Sequence, residues 1–205
     1  MEQLDERVVR SRRRICDAVI DLVVDHGLAA VTIDAVVARS GVARTTLYRH
    51  WPSRDELVCD AIAGALPEPV CTDTGSLAGD LRALARGLAA GLSDPRYSAI
   101  LGAVALPGTG DGLDEVRAIA TAARHRALCD VVERARRRGE PIPVDGVDGL
   151  IRSIAGPLFY RRFVEGAPVS RVLADRCVQR ALAPLHEALF DRAARSNLRT
   201  ASGVR

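Results

Sequence analysis

Apolar residues return every three or four positions along most of the chain, which is the period of an amphipathic α-helix. The pattern predicts about nine helices and an all-α fold. A break rich in Pro, Thr, Asp and Gly, from Pro67 to Ser76, indicates a domain boundary. We therefore expect an N-terminal domain over residues 1–64 with helix 4 as a connector, a second helical domain over residues 65–194, and a disordered tail over residues 195–205.

Local signals set the expected limits of these helices. A polar arm over Met1 to Ser11 is predicted to precede helix 1, which ends near His26 because Gly27 favours a helix C-terminus. Three later helices are expected from Leu77 to Leu92, within Pro95 to Leu106, and from Asp114 to Arg138. A loop over Pro107 to Gly112 is expected between the second and the third of these. The last two helices are expected to begin after the capping residues Asp145 and Ser170. The arginines that end the helix at Arg138 are expected to form a solvated end that complements the helix dipole.

The stretch from Thr32 to Glu56 has the pattern of two short helices joined at Gly41. The apolar face of the first comprises Ile33, Val36 and Val37, and that of the second comprises Leu47 and Trp51. A glycine supplies the positive φ that a tight turn between crossing helices requires. Ser53 and Glu56 then form a capping box that begins the next helix. The stretch is predicted to be a helix-turn-helix.

Turning Leu47 and Trp51 inward leaves a polar outer face on the second of these helices. Arginine binds guanine edges or phosphates, threonine offers a hydroxyl and a methyl group, and tyrosine and histidine reach phosphate oxygens. The predicted contacts to double-stranded DNA are Thr32, Arg44, Thr45, Thr46, Tyr48, Arg49, His50 and Arg54, with Arg12 and Arg13 from the basic segment before helix 1. The basic segment is equally typical of a solvated helix end, and Thr32 of a plain N-cap.

The order of these residues resembles the DNA-binding signature of the TetR/AcrR family of transcriptional regulators. The matching positions are Thr32-Ile33, Val36, Gly41-Val42, Thr46-Leu47-Tyr48-Arg49, Trp51-Pro52-Ser53 and Leu57. The chain departs from the family pattern at Ala43, where a capping serine is common, and at Arg54, where lysine is usual. The segment from Ala155 to Arg162 is also similar to one in a subset of TetR-type C-terminal domains.

The resemblance implies a homodimeric repressor whose second domain takes up a small-molecule effector and thereby re-spaces the two DNA-binding domains. The two recognition helices would enter successive major grooves of a palindromic operator, roughly 34–36 Å apart. An activator would differ only in the position of the operator, so both remain open. An apolar or amphipathic effector is expected, in a pocket lined by Leu88, Leu92, Leu101, Val104, Ile119, Ala123, Leu128, Ile154 and Phe159, for each of which plain core packing is the alternative.

The last two helices carry apolar residues on more than one stripe, so they need a second partner. A self-complementary contact across a two-fold axis is the economical solution. The predicted dimer interface comprises Ile151, Leu158, Arg162, Val172, Val178, Leu182 and Leu185.

Charge modifies this interpretation of the N-terminal domain. The chain has a net charge of +3, and its 29 basic residues are all arginine. Residues 1–64 nevertheless hold nine arginines against ten acidic residues. Asp17, Asp21 and Asp25 form an acidic stripe that is expected to face away from DNA, which would leave the arginines locally unopposed.

Motifs of enzymes and metal sites are missing from the sequence. The four histidines are scattered, and no H-E-x-x-H, C-x-x-C, phosphate-binding loop or nucleophile elbow occurs. We expect no catalysis, no cofactor and no metal. His125 could line a pocket, although a place at the surface or in the core is expected for it, and the five cysteines are expected to be reduced core residues. No apolar run reaches the length of a membrane span and no signal peptide is evident, so a cytoplasmic protein without a membrane partner is expected.

A second class of function stays open at this level. The chain could be a helical small-molecule-binding protein or an enzyme whose DNA-binding module is vestigial. A protected palindrome near the gene would favour the regulator, and turnover of a bound compound would favour the alternative.

Overall fold

The computed structural model of the protein describes residues 2–105, 113–143 and 145–184. Within these ranges the chain forms nine α-helices and no strand, so the predicted all-α fold is confirmed. The helices are α1 Glu2–His26, α2 Ile33–Ser40, α3 Arg44–His50, α4 Arg54–Ala65, α5 Leu77–Ser93, α6 Pro95–Ala105, α7 Asp114–Arg137, α8 Gly146–Phe159 and α9 over 171–184. The predicted loop over Pro107 to Gly112, the predicted interface residue Leu185 and the predicted tail over 195–205 lie outside the described residues.

Two short non-α segments complete this part of the chain. A 3₁₀-helix, Leu28–Ala30, follows α1, and a π-helix, Tyr160–Val164, continues directly from α8. Across the described helices, none is both long and apolar enough to cross a lipid bilayer.

The predicted helix caps are mostly observed. Thr32 Oγ1 accepts a hydrogen bond from the backbone N–H of Ala35 at 3.1 Å, and Ser170 Oγ accepts one from Leu173 at 3.2 Å. Ser53 Oγ likewise accepts from the N–H of Glu56 at 3.2 Å. The cap predicted at Asp145 is wrong, because its side chain makes no capping hydrogen bond and its backbone is already helical.

The polar arm predicted over Met1 to Ser11 is also wrong, because α1 is helical from Glu2 onward. The segment contains no Gly or Pro, and seven of its eleven residues are Met, Glu, Gln, Leu or Arg, which have high helix propensity. Arg13 and Asp17, one turn apart, add a weak ion pair at 3.9 Å. Arg12 and Arg13 therefore lie on a helix rather than on an extended arm.

The described chain divides into two compact units. The first comprises Met1–Glu68 and Ser93–Ala123, so it adds α6 and the first part of α7 to the helix-turn-helix segment. Its apolar core is continuous and includes Ile15, Leu47, Leu57, Ile62 and Ile100, each almost fully buried. An ion pair between Arg96 and Asp21, at 2.6 Å, also holds α6 against α1. The domain limits inferred from the sequence remain predictions.

The second unit comprises Pro69–Leu92 and Arg124–Arg205, and a buried carboxylate stabilises it. Asp80 is completely buried, and its Oδ1 accepts hydrogen bonds from the backbone N–H and hydroxyl of Thr74 at 2.6 and 2.7 Å. Its Oδ2 lies 3.2 Å from Arg138 and 3.5 Å from Arg134. The expectation of a merely solvated end to α7 is therefore wrong for these two arginines.

These interactions also set the acidity of Asp80. Burial by itself raises the pKa of this carboxyl group, but the hydrogen bonds from Thr74 and Arg138 outweigh burial and hold the pKa below its ordinary value. The ionised carboxylate therefore ties the loop before α5 to the end of α7.

Candidate DNA-binding site

The turn between α2 and α3 has the geometry that the sequence predicts. Gly41 has φ 64°, in the left-handed region, and its N–H donates to the carbonyl oxygen of Val37 at 3.0 Å. The buried Ser40 hydroxyl accepts a hydrogen bond from the N–H of Val42 at 3.2 Å. From α1, Arg14 donates to the carbonyl oxygen of Ser40 at 2.7 Å. The sequence pattern does not identify these roles of Arg14 and Ser40, although a serine directly before a turn glycine is a common signal.

Replacing Arg14 with Ala is expected to lower the free energy of unfolding by about 1–2 kcal/mol, because the carbonyl oxygen of Ser40 loses its charged donor. Thermal unfolding monitored by circular dichroism would measure this loss. Arg13→Ala is the matched control, since the side chain of Arg13 is largely exposed and is expected to change stability by less than about 0.5 kcal/mol. Equal effects of the two substitutions would contradict this role of Arg14.

The inner face of the recognition helix α3 is held by apolar packing and one polar cluster. Leu47 is fully buried, and Trp51 directly after the helix is 4% exposed. The indole N–H of Trp51 donates to Oδ2 of Asp60 at 2.9 Å. Arg12 pairs with the same oxygen at 2.7 Å and lies over the Trp51 ring at 5.6 Å. This cluster fixes the rotation of α3 about its axis.

The outer face of α3 is open, as predicted. Thr45 and Arg49 are exposed, and Tyr48 keeps 44% of its surface exposed. Thr46 and His50 are half-buried, and the His50 ring meets the Trp51 ring edge-on at 5.5 Å between centroids. Ala43 provides no side-chain cap, in agreement with its departure from the family pattern. Thr45, Tyr48 and Arg49 are therefore the side chains of α3 that are most available to a duplex.

Carboxylates or carbonyls already engage several of the arginines predicted to contact DNA. Arg44 pairs with Asp34, and Arg12 and Arg13 pair with Asp60 and Asp17. Arg54 pairs with Asp55, and it also donates to the carbonyl oxygens of Val31 and Leu28, which braces the 3₁₀-helix. The expectation that the acidic stripe leaves these arginines unopposed is wrong for Arg12, Arg13 and Arg44. Among the described residues, Arg49 pairs with no carboxylate.

The acidic partners explain why the net charge of residues 1–64 does not preclude DNA binding. Asp25 pairs with Arg39 at 2.6 Å, a hydrogen bond that holds the pKa of Asp25 below its ordinary value. Asp34 and Asp60 were not singled out in the sequence, because their partners are distant along the chain. These carboxylates form ion pairs within the protein, and the exposed face of α3 carries arginine, threonine and tyrosine. The DNA contacts themselves remain predictions.

The residues predicted to line an effector pocket have mixed environments. Leu92, Leu101, Val104 and Ile154 are buried, and Leu88, Ala123, Leu128 and Phe159 are half-buried. Ile119 differs from the others because it is 54% exposed. A cleft of about 820 Å³ does lie within the first unit, between α1, α4 and α6, and none of the predicted lining residues contributes to it. The pocket predicted from the sequence stays a prediction.

The residues predicted at the dimer interface also fall into two groups. Leu158, Val178 and Leu182 are buried within the single chain, so in this conformation they pack in its own core. Ile151 and Arg162 are half-buried, and Val172 is exposed. Tyr160 and Val164 of the π-helix, which the sequence analysis did not select, are also exposed apolar side chains. A partner would therefore contact the exposed side chains of Val172, Tyr160 and Val164 rather than the buried ones.

Two family models match the chain. The model described as bacterial regulatory proteins of the tetR family matches residues 15–61, and the model described as a tetracyclin repressor-like C-terminal domain matches residues 71–181. The first match contains α2, α3 and the turn between them. The second covers more than half of the chain.

Individual proteins agree with these matches. YdeS of Bacillus subtilis, described as an uncharacterized HTH-type transcriptional regulator, is 27% identical over 165 residues, which cover 78% of this chain and 82% of YdeS. The crystal structure of the TetR family regulator SCO0332 superposes with a TM-score of 0.56 at 26% identity, covering 84% of this chain and 97% of SCO0332. SmeT shares the fold with a TM-score of 0.63 at 20% identity, covering 85% and 91% of the two chains. This chain therefore belongs to the TetR family, and it is a DNA-binding transcriptional regulator whose helix-turn-helix is formed by α2 and α3.

Proposed function

We propose that this regulator is a repressor that binds a palindromic operator as a homodimer and is released by a small apolar or amphipathic ligand. The main observation behind the proposal is that the recognition helix has one buried face and one exposed face. Leu47 and Trp51 anchor α3 in the core, while Thr45, Tyr48 and Arg49 on its other side stay open to solvent. Such a helix fits a major groove, where arginine and threonine distinguish base edges.

Dimerisation is supported by the apolar surface of the second unit. Tyr160, Val164 and Val172 are each more than half exposed, and the first two belong to the π-helix that follows α8. A two-fold axis would bring two copies of this surface together and place two recognition helices on one side of the duplex. A single helix-turn-helix contacts too few base pairs to select one genomic site, so two are needed.

Release by a ligand is supported by the family match and by a structural relative. The C-terminal match is to a tetracyclin repressor-like domain, and the structure of SmeT is that of a complex with triclosan. By analogy, we assign the effector to the second domain of this chain. The ligand releases the operator only if it binds the conformation with the wrong helix spacing more tightly than the DNA-binding conformation.

The operator is tested by selecting bound sequences from a pool of random DNA duplexes with the full chain. We expect a palindrome whose half-site centres are one helical turn apart or a multiple of it. Arg49→Ala is then expected to weaken binding to the selected duplex roughly 10- to 100-fold, the loss of one bidentate base contact. Tyr48→Ala is expected to weaken binding less and to leave its salt dependence nearly unchanged, because a neutral hydroxyl that contacts a phosphate releases no counterion. Fluorescence anisotropy at several salt concentrations measures both effects.

Arg126→Ala is the matched control, because Arg126 is an exposed arginine of α7 outside the helix-turn-helix. Its affinity for the selected duplex should equal that of the wild type. Unchanged binding by both Arg49→Ala and Tyr48→Ala would refute the assignment of the reading face. Failure to select any sequence, together with turnover of a bound compound, would instead favour the helical binding protein or enzyme.

Release is tested separately by titrating the protein–operator complex with a set of apolar and amphipathic compounds that includes triclosan. We expect at least one compound to dissociate the complex while the protein stays folded and dimeric, as measured by sedimentation. If every compound leaves the complex intact, the effector part of the proposal is wrong and the DNA-binding part stands.

A further inference from the structure

A thiol, an imidazole and a carboxylate lie next to one another, in this order, on the surface of the second unit. Cys129 and His125 are one turn apart on α7, and Sγ of Cys129 lies 3.4 Å from Nδ1 of His125. The other ring nitrogen, Nε2, lies 3.5 Å from Oδ1 of Asp148 in the first turn of α8. The DNA-binding function uses none of these three residues.

The position of Asp148 determines what the imidazole can do. A carboxylate accepts hydrogen bonds only, so it favours the tautomer of His125 that carries its proton on Nε2. The unprotonated Nδ1 then faces the thiol of Cys129 and accepts from it. A base held by a third group beside a thiol is the arrangement that activates cysteine as a nucleophile.

Solvent access completes the arrangement. His125 and Asp148 are 46% and 69% exposed, and Cys129 is half-buried, so a small solute reaches the sulfur. Two other thiols of the same unit, those of Cys71 and Cys177, differ from Cys129 in their surroundings. Burial raises the pKa of Cys177 and of Cys71, and Cys71 donates its hydrogen bond to a backbone carbonyl rather than to a base.

We propose that Cys129 is a nucleophilic thiol at which the protein is covalently modified by soft carbon electrophiles, namely quinones and α,β-unsaturated carbonyl compounds. The thiol proton moves to Nδ1 of His125 while the sulfur attacks the β-carbon and a C–S bond forms. The electrons of the C=C π bond shift toward the carbonyl oxygen, and His125 returns the proton to the α-carbon. The product is a thioether, and the addition consumes no other reactant. Asp148 acts through His125 as a positioning residue.

The test compares the reactivity of each cysteine in the folded and unfolded full-length protein. N-ethylmaleimide is added below stoichiometry, the reaction is quenched at intervals, and mass spectrometry of peptides gives a rate for each cysteine. We expect Cys129 to react roughly 10-fold faster in the folded protein than in urea, because the imidazole beside it takes up the thiol proton as the sulfur attacks. Cys71 and Cys177 should react more slowly when folded. Folding only reduces access, so a faster folded rate requires activation.

Variants separate the chemical role from a structural one. His125→Ala should lower the Cys129 rate to the unfolded value or below, and added imidazole should restore it in this variant. Asp148→Asn should slow the reaction, whereas Asp148→Glu should keep most of the rate. Arg137→Ala, which changes an exposed arginine two turns beyond Cys129 along α7, is the control and should have no effect. A folded Cys129 rate at or below its rate in urea, or an unchanged rate in His125→Ala, would overturn the proposal, and the wild-type comparison decides it even if a variant unfolds.

Discussion

Leu47→Ala is expected to lower the free energy of unfolding of the first unit by about 2–5 kcal/mol and to abolish operator binding. Leu47 is fully buried in the core of that unit. The recognition helix has only seven residues and no side-chain cap at its N-terminus, so it is too short to be stable alone. Its position depends on the packing of this one leucine and of Trp51.

Thr45→Ala, two residues away on the outer face, is the control that separates stability from recognition. Thr45 is exposed, so its loss should leave the unfolding temperature nearly unchanged while weakening DNA binding. Thermal unfolding and anisotropy titrations on the two variants measure both properties. A Leu47→Ala protein with wild-type unfolding and wild-type affinity would show that α3 is held by other contacts.

Asp80→Ala is expected to destabilise the second unit by about 3 kcal/mol, at the lower end of the range for breaking a buried ion pair, since the two arginines keep some contact with water. The substitution removes the acceptor of Thr74 and of Arg138 together. Asp130→Ala is the matched control, because Asp130 is an exposed aspartate of α7 in the same unit. Urea unfolding curves for the three proteins give the two differences.

The carboxylate of Asp80 also makes the stability of the second unit depend on pH, and the Asp80→Ala variant should lose this dependence. The pKa of Asp80 in the folded state lies below its ordinary value, so its contribution is complete above about pH 4, the pKa of an unperturbed aspartate. The contribution is lost as the pH falls through the lowered folded pKa. The stability difference between wild type and Asp80→Ala should therefore shrink on acidification below pH 4. A difference that stays constant down to pH 2 would indicate that the charge of Asp80 is not what stabilises the unit.

Features that depend on neighbours in the sequence were predicted well. The helical period of apolar residues predicted the limits of α5 to α7 to within a few residues. Thr32 and Ser53 cap their helices by accepting hydrogen bonds from backbone N–H groups three positions ahead. Gly41 adopts the positive φ that its position demanded. The outer face of α3 followed from turning Leu47 inward, because helix geometry then fixes the direction of every other side chain.

Features that depend on distant residues were missed. The ion-pair partners of Arg12, Arg44 and Asp80 lie between 10 and 58 positions away along the chain, and an ion pair leaves no periodic pattern in the sequence. Asp145 was predicted to cap α8 from its residue type alone, and the local backbone decided otherwise. The i, i+4 spacing of His125 and Cys129 is visible in the sequence, but Asp148, which orients the histidine, is brought to it only by the fold.

The order of apolar and polar residues by itself determined the helices, the turn at Gly41 and the side of α3 that faces outward, because these follow from backbone geometry over a few residues. Only the tertiary structure decided which arginines are engaged by carboxylates, which buried acid stabilises the second unit and which carboxylate lies beside His125. Such pairings depend on where distant segments meet in space, and a carboxylate or an imidazole has its effect only within a few ångströms of its partner.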